Sequence, residues 1–145
     1  MSELLEIKVP GKPQYVGTVR LTIASIASGL GFDIEAIDDI KVAVSEACTN
    51  IVCHSQVEDD FVYDVSCKVE SEKLTIVVQD YGKGYNVEEK MKEEAILAEF
   101  EEGKDEGLGL GLFIIKALMD EVNIKSEIGT GTYIQMTKYL KPISA

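Results

Sequence analysis

The chain has 145 residues, of which 46% are hydrophobic and 28% are charged, and its formal net charge is −12. This length suits a single domain with its own hydrophobic core. The negative charge would repel a phosphate backbone and an anionic membrane surface, so direct binding of nucleic acid or membrane is not expected. Because the sequence lacks an apolar run of about 20 residues and a signal-peptide layout, we expect a cytoplasmic protein.

The first predicted elements are a strand and a helix. Residues 4–9 alternate weakly between apolar and polar, and prolines and glycines then interrupt the chain. From Val16 to Leu30, apolar residues recur at steps of three and four, which is typical of an amphipathic helix. Glycines at its end suit helix termination, and Arg20 is expected to be exposed on this helix.

A second amphipathic helix of about five turns is predicted from Asp33, a candidate N-cap, to Ile51. A stripe at steps of three and four borders its apolar face and contains Glu46, Asn50 and His54. Glu46 and Asn50 lie one turn apart, so a carboxylate and an amide oxygen could converge on a hydrated divalent cation with its phosphates. An ordinary solvated helix face is the alternative interpretation.

Three cysteines, Cys48, Cys53 and Cys67, stand among apolar neighbours in the sequence. They form no C-x-x-C pair, and the chain has one histidine, so the spacing does not indicate a metal site. We predict buried free thiols, because an unpaired cysteine behaves as a small hydrophobic residue.

Two strands and a polar segment follow. Residues 61–69 alternate, and LTIVVQD at 74–80 is β-branched on both faces, which predicts a central strand. From residue 85 to 106 the sequence is rich in glutamate, lysine and small residues. A segment of this length between two patterned elements is typical of a functional lid or of disorder.

The last third predicts one helix and two strands. Residues 110–119 are apolar almost all round, which predicts a buried helix, and strands around 122–128 and 132–140 flank a Gly-Thr-Gly turn. The predicted order is strand, helix, helix, strand, strand, lid, helix, strand, strand. This order is typical of an α+β domain with two layers, in which helices cover one face of a mainly antiparallel sheet.

The loop DYGKGY places a carboxylate where an apolar strand ends. Asp80 is followed by Gly82 and Gly84 at alternate positions. A carboxylate there can accept a hydrogen bond from an exocyclic amine, while the glycine backbones approach the ring closely. A plain turn is the alternative.

The stretch EGLGLGLF has glycines at positions 107, 109 and 111. Residues without side chains expose successive backbone N–H groups, and the helix that starts near Leu110 adds its positive end, so the stretch suits a phosphate. Peptide dipoles and a metal ion would supply the local positive field that a chain of charge −12 lacks. A flexible hinge to the lid is the alternative.

In order and spacing, EACTN followed by His54, then DYGKGY, GLGLGL and GTGT, resemble the nucleotide-binding boxes of the GHKL ATPase superfamily, which has the Bergerat fold. The resemblance covers nearly the whole chain, as one ATPase/kinase domain over 1–145 with an ATP lid at approximately 85–107. GLGLFIIKALMDEV and MTKYL resemble more specifically the RsbW and SpoIIAB family of anti-sigma factor serine/threonine-protein kinases.

This resemblance implies ATP and Mg²⁺ as cofactors. It implies that Asn50 ligates magnesium, that Glu46 is the catalytic base toward a substrate serine, and that Asp80 recognises the adenine amino group. The further nucleotide-binding residues that it implies are Gly82, Gly84, Lys104, Gly107, Leu108, Gly109, Gly111, Thr130 and Thr132. SpoIIAB-like proteins have an arginine just before the glycines, where this chain has KDE from Lys104, so the γ-phosphate contact departs from the family pattern.

The resemblance also implies two partner proteins. One is a sigma factor, which the family holds away from RNA polymerase, with Arg20 as a candidate contact; an ordinary solvated arginine is the alternative. The other is an anti-sigma factor antagonist of the STAS type, which carries the substrate serine. Family members are commonly homodimers.

Three other functions remain open from the sequence. One is a switch kinase of the RsbT sort. Another is a detached ATP-binding module of a histidine kinase, which would need a separate acceptor chain because His54 is the only histidine. The third is a nucleotide-gated binding module without phosphotransfer. The length of the lid favours the anti-sigma kinase over the switch kinase.

Overall fold

The computed structural model describes residues 2–54, 60–101 and 110–141, with backbone alone at 100 and 101. Its strands are β1 (Glu3–Pro10), β2 (Val62–Val69), β3 (Lys73–Asp80), β4 (Glu121–Glu127) and β5 (Gly131–Tyr139). Its helices are α1 (Val16–Leu30), α2 (Ile34–His54), α3 (Val87–Glu101) and α4 (Gly111–Leu118), and a 3-10 turn (Pro13–Tyr15) precedes α1. The predicted order of strands and helices is confirmed, and α3 lies in the segment to which the sequence assigned no regular element.

The strands form one sheet in the order β1-β2-β3-β5-β4, and every neighbouring pair is antiparallel. As predicted, β3 is central. Its alternate residues Leu74, Ile76, Val78 and Asp80 are buried, while the residues between them are half-buried. The predicted α+β architecture, with helices on one face of an antiparallel sheet, is confirmed.

Helix α2 occupies the centre of the helical layer. It packs against α1, α4 and the strands β3 and β5. Its residues Ile40, Val44, Ala47 and Ile51 have no exposed surface. Burial of a valine or isoleucine side chain contributes about 1.5–3 kcal/mol, so this face fixes α2 on the sheet.

The ends of α1 and α2 follow the predicted signals. Gly31 ends α1 with φ 98°, a left-handed conformation that glycine adopts without the cost of a Cβ. Asp33 caps α2, because its Oδ1 accepts a hydrogen bond of 2.8 Å from the backbone N–H of Ala36. These two signals separate α1 from α2 with a three-residue connection.

Helix α4 is shorter and less buried than its apolar sequence suggested. Leu112 and Ile115 are fully buried, whereas Lys116 and Ala117 are exposed. The prediction of a buried helix was therefore wrong in part, because α4 covers the core with one face only. None of the described helices is long and apolar enough to cross a membrane.

Two side-chain predictions were also wrong. Arg20 was expected to be exposed but is half-buried, because its side chain extends along the interface with α2 and its Nη1 lies 3.4 Å from the Ser45 Oγ. Cys53 was expected to be buried but is exposed, whereas Cys48 and Cys67 are buried. Cys53 falls on the side of α2 that faces away from the core, although the two residues before it, Ile51 and Val52, are apolar.

Candidate functional site

The C-terminal half of α2 supplies two of the predicted site residues. Asn50 is only 7% exposed, so it does not lie on a solvated helix face. Its Oδ1 accepts a hydrogen bond of 2.8 Å from the Tyr85 hydroxyl. Glu46, one turn earlier, is half-buried, and this burial raises the pKa of its carboxyl group.

The end of the central strand supplies the buried carboxylate. Asp80 is 2% exposed, and its Oδ1 accepts a hydrogen bond of 2.6 Å from the Gly82 N–H. On the neighbouring strand β5, the residue opposite Asp80 is Thr132. The Thr132 hydroxyl is also buried and lies 2.8 Å from the Ser126 Oγ. Asp80 and Thr132 therefore form one polar group at the end of the sheet.

Two glycines allow the backbone to pack tightly around Asp80. Gly84 has φ 65°, and a Cβ on it would clash with the carbonyl oxygen of Glu127. Gly131 has φ 116°, and a Cβ there would clash with the carbonyl oxygen of Asp80. The loop after β3 is thus fitted against the turn between β4 and β5, and neither position accepts a side chain without a shift of the backbone.

The two threonines of the GTGT turn have different environments. Thr130 is exposed, and its N–H donates to the carbonyl oxygen of Glu127. Thr132 is buried opposite Asp80. Both were predicted to bind nucleotide, and the structure brings Thr132 beside Asp80 while Thr130 lies in the turn.

The N-terminus of α4 meets both α2 and α3. A Cβ on Gly111, the first residue of α4, would lie 2.9 Å from the Glu46 Oε2. The Oε1 of Glu94, a residue of α3, accepts a hydrogen bond of 2.9 Å from the Phe113 N–H. The remaining predicted residues of this region, Lys104, Gly107, Leu108 and Gly109, lie outside the described residues.

Sequence reasoning missed four residues of the site. Tyr85 and Ser126 join the loop after β3 to the sheet, since the Ser126 Oγ accepts a hydrogen bond of 2.9 Å from the Tyr85 N–H. Gly131 was identified only as part of a turn. Glu94 had no signal that distinguished it from the other glutamates of its segment, whereas Tyr85 is the last residue of the loop DYGKGY.

Burial shifts the pKa of three further groups around Asn50 and α4. It raises the pKa of Tyr85 to about 12. It lowers the pKa of His54, whose ring lies 5.3 Å from that of Tyr85, and the positive charge of Lys90 lowers it further. It also raises the pKa of Glu94, although hydrogen bonds from the α4 backbone act in the opposite direction. At neutral pH, Tyr85 and His54 are therefore uncharged.

The described groups fit a nucleotide with a divalent cation. A buried carboxylate such as Asp80 can accept a hydrogen bond from an amino group. The amide oxygen of Asn50 is a hard ligand of the kind that Mg²⁺ binds. At the N-terminus of α4 the Phe113 N–H already donates to a carboxyl oxygen, so an acidic oxygen fits at this helix end.

The comparisons with known proteins agree on one family. The family described as Histidine kinase-like ATPase domain matches residues 9–138. "Serine-protein kinase RsbW" of Bacillus licheniformis is 40% identical over 96% of this chain and 87% of the relative. The proteins of the same name in Bacillus subtilis and Listeria monocytogenes serotype 4a are 36% and 39% identical, over 87% and 89% of their lengths.

A solved structure shares the fold. The crystal structure of the RsbU and RsbW domains of a Mycobacterium tuberculosis protein superimposes with a TM-score of 0.69 at 22% identity. The match covers 97% of this chain and 33% of that longer chain. The architecture described above is therefore the fold of one part of that protein.

Proposed function

Since this chain belongs to the family of RsbW serine-protein kinases, and is therefore an ATP-dependent kinase, we propose that its nucleotide lies between α2, the end of β3 and the N-terminus of α4. The observation that carries this proposal is the meeting of Glu46 with the first turn of α4, whose N–H groups hold a carboxylate. An acidic oxygen is thus accommodated beside the candidate base.

Each residue has a separate task in this proposal. Asp80 accepts a hydrogen bond from the adenine amino group, in a wall shaped by Gly82, Gly84 and Thr132. Asn50 would hold Mg²⁺, and the bound cation would neutralise part of the phosphate charge. The N-terminal N–H groups of α4 orient the phosphates. The residues outside the described part of the chain, Lys104, Gly107, Leu108 and Gly109, remain predicted contacts of the same phosphates.

Glu46 is the proposed base toward the hydroxyl of a substrate serine. Its raised pKa makes it a better proton acceptor than a solvated glutamate. Phosphoryl transfer nevertheless depends mostly on positioning and charge neutralisation, and its transition state is loose. Asn50 should therefore contribute more to the rate than Glu46.

Phosphotransfer rates of three variants test these roles. We expect Asn50→Ala to lower the rate of serine phosphorylation by about a hundredfold or more, and Glu46→Ala by about tenfold to a hundredfold. The control is Thr49→Ala, an exposed change on the same helix that should leave the rate unaltered. Wild-type turnover in either site variant would remove that residue from the mechanism.

The proposed substrate is a serine of an anti-sigma factor antagonist of the STAS type, and the proposed second partner is a sigma factor that the chain keeps from RNA polymerase. A cytoplasmic homodimer is proposed as the working form. The enzyme should be incubated with Mg-ATP and candidate partners, followed by detection of phosphoserine and of sigma capture. ADP formation without phosphoserine on any candidate would contradict the proposed substrate class.

Arg20 is the proposed contact for the sigma factor. It is half-buried against α2, yet it carries a charge that a partner could reach from the side of α1. We expect Arg20→Glu to weaken sigma binding at least tenfold without loss of ATP affinity, while Lys68→Glu, an exposed charge reversal on β2, leaves both unchanged. Equal sigma affinity in wild type and Arg20→Glu would exclude this contact.

A further inference from the structure

Glu94 is a buried carboxylate that the proposed chemistry does not use. It projects from α3 and has no exposed surface. Its Oε1 accepts the hydrogen bond from Phe113, and the Leu112 N–H also stabilises its charge. Its Oε2 has no hydrogen-bond partner among the described residues. A carboxylate is costly to bury in this way, so its position is a feature that needs a physical reason.

The carboxylate of Glu94 has the chemistry of a phosphate at this place. Its carboxyl group accepts hydrogen bonds from backbone N–H groups in the first turn of a helix, as phosphate oxygens do. It also lies near Glu46, since the charge of Glu46 raises the pKa of Glu94. The same N–H groups cannot donate fully to Glu94 and to a nucleotide phosphate at the same time.

Tyr85 makes a similar contact with Asn50, another residue of the proposed nucleotide site. Its hydroxyl donates to the Asn50 Oδ1, the oxygen that would ligate magnesium. Tyr85 precedes α3 by two residues and is half-buried, with its ring beside His54. One segment, residues 85–94, thus supplies a partner both to Asn50 and to the N-terminus of α4.

We infer that residues 85–94 act as an internal competitor of Mg-ATP, in which Glu94 takes the place of a phosphate and Tyr85 takes the place of the cation. This inference rests on the proposed nucleotide site and adds a determinant of its affinity. Nucleotide binding then requires Glu94 and Tyr85 to leave these positions. The measured affinity equals the intrinsic affinity multiplied by the fraction of molecules in which they have left.

Removal of the competing carboxylate should strengthen nucleotide binding. We expect Glu94→Ala to bind ATP about tenfold more tightly than wild type at saturating magnesium, by calorimetric titration. Glu94→Gln keeps the shape and one acceptor but loses the charge, so its affinity for ATP should lie between those of wild type and Glu94→Ala. The control is Glu93→Ala, which removes the same charge from an exposed neighbour on α3 and should leave the affinity unchanged.

Hydrogen exchange at the Phe113 amide distinguishes competition from a general change in stability. In wild type this amide should be protected with and without ATP, because Glu94 or a phosphate accepts its hydrogen bond. In Glu94→Ala it should be protected only when ATP is present. Amides in the middle of β3 should exchange equally in both proteins, which confirms that the variant is folded.

Tyr85→Phe tests the second contact separately. Loss of the hydroxyl frees the Asn50 oxygen, so half-maximal ATP binding should require less magnesium, while binding in the presence of a chelator should not change. Unchanged magnesium dependence would remove Tyr85 from the mechanism.

The outcomes separate this inference from the proposed function. If folded Glu94→Ala and Glu94→Gln bind ATP as wild type does, or more weakly, Glu94 is not a competitor, although the nucleotide site stands. If wild type and all variants fail to bind Mg-ATP, the nucleotide site itself is refuted, and the competitor with it.

Discussion

At the scale of single residues, three glycines have different physical requirements. Gly84 combines φ 65° with a backbone contact that excludes a Cβ, Gly129 has φ 88° in open space, and Gly29 has open space in a helix without a positive φ. The backbone angle and the close approach can therefore be separated experimentally.

We predict a graded effect of alanine at these positions on the free energy of unfolding. Gly29→Ala should stabilise the protein by about 0.5–1 kcal/mol, because alanine loses less entropy in a helix. Gly129→Ala should cost about 1–2 kcal/mol for the left-handed conformation alone. Gly84→Ala should cost about 3 kcal/mol or more, because the clash with Glu127 adds to that strain. Chemical denaturation measures all three, and equal losses at 84 and 129 would refute the close approach at Gly84.

The residues of the site were predictable to different degrees. Asp80 and Asn50 could be found because each stands at a place that the pattern defines, one at the end of an apolar strand and the other beside the apolar face of a helix. Glu94 could not, because it is one of several glutamates and its burial depends on where α3 packs. Arg20 and Cys53 were misplaced because periodicity defines the centre of a helix face better than its flanks.

At the scale of elements, the hydrophobic pattern predicted every strand and three of the four described helices. The exception, α3, has the signals of a helix start: Asn86 accepts a hydrogen bond of 3.0 Å from the Glu89 N–H, and the first turn is acidic. Its apolar residues do not form a stripe along one face, so hydrophobic periodicity alone did not predict this helix. A segment that has helix-capping signals but no amphipathic pattern is easily interpreted as irregular.

Helix α2 provides a test of element placement through its cysteines. Burial raises the pKa of Cys48 and of Cys67 to about 12, so both thiols remain protonated and shielded at pH 8. Cys53 is exposed on the outer side of α2. We predict that a disulfide reagent modifies one thiol per folded chain at pH 8 and all three in denaturant, and that Cys53→Ser abolishes the fast reaction. A fast reaction that persists in Cys53→Ser would mean that the face of α2 is assigned wrongly.

At the scale of the whole molecule, a chain with a net charge of −12 must bind a nucleotide that is itself strongly anionic. The long-range field opposes this association, so the favourable contribution has to be local. In the proposed site this contribution comes from the N-terminus of α4 and from a cation held at Asn50. Nucleotide affinity should therefore depend steeply on magnesium.

The most direct test is calorimetric titration of ATP into the purified chain. Three titrations are compared: wild type with magnesium, wild type with a chelator, and Asp80→Asn with magnesium. We predict saturable binding of ATP in magnesium, an affinity at least tenfold lower with the chelator, and a comparable loss of affinity in Asp80→Asn, because its amide nitrogen replaces an acceptor of the adenine amino group. Absence of saturable binding by wild type in magnesium, or equal affinity in all three titrations, would contradict the proposed nucleotide site.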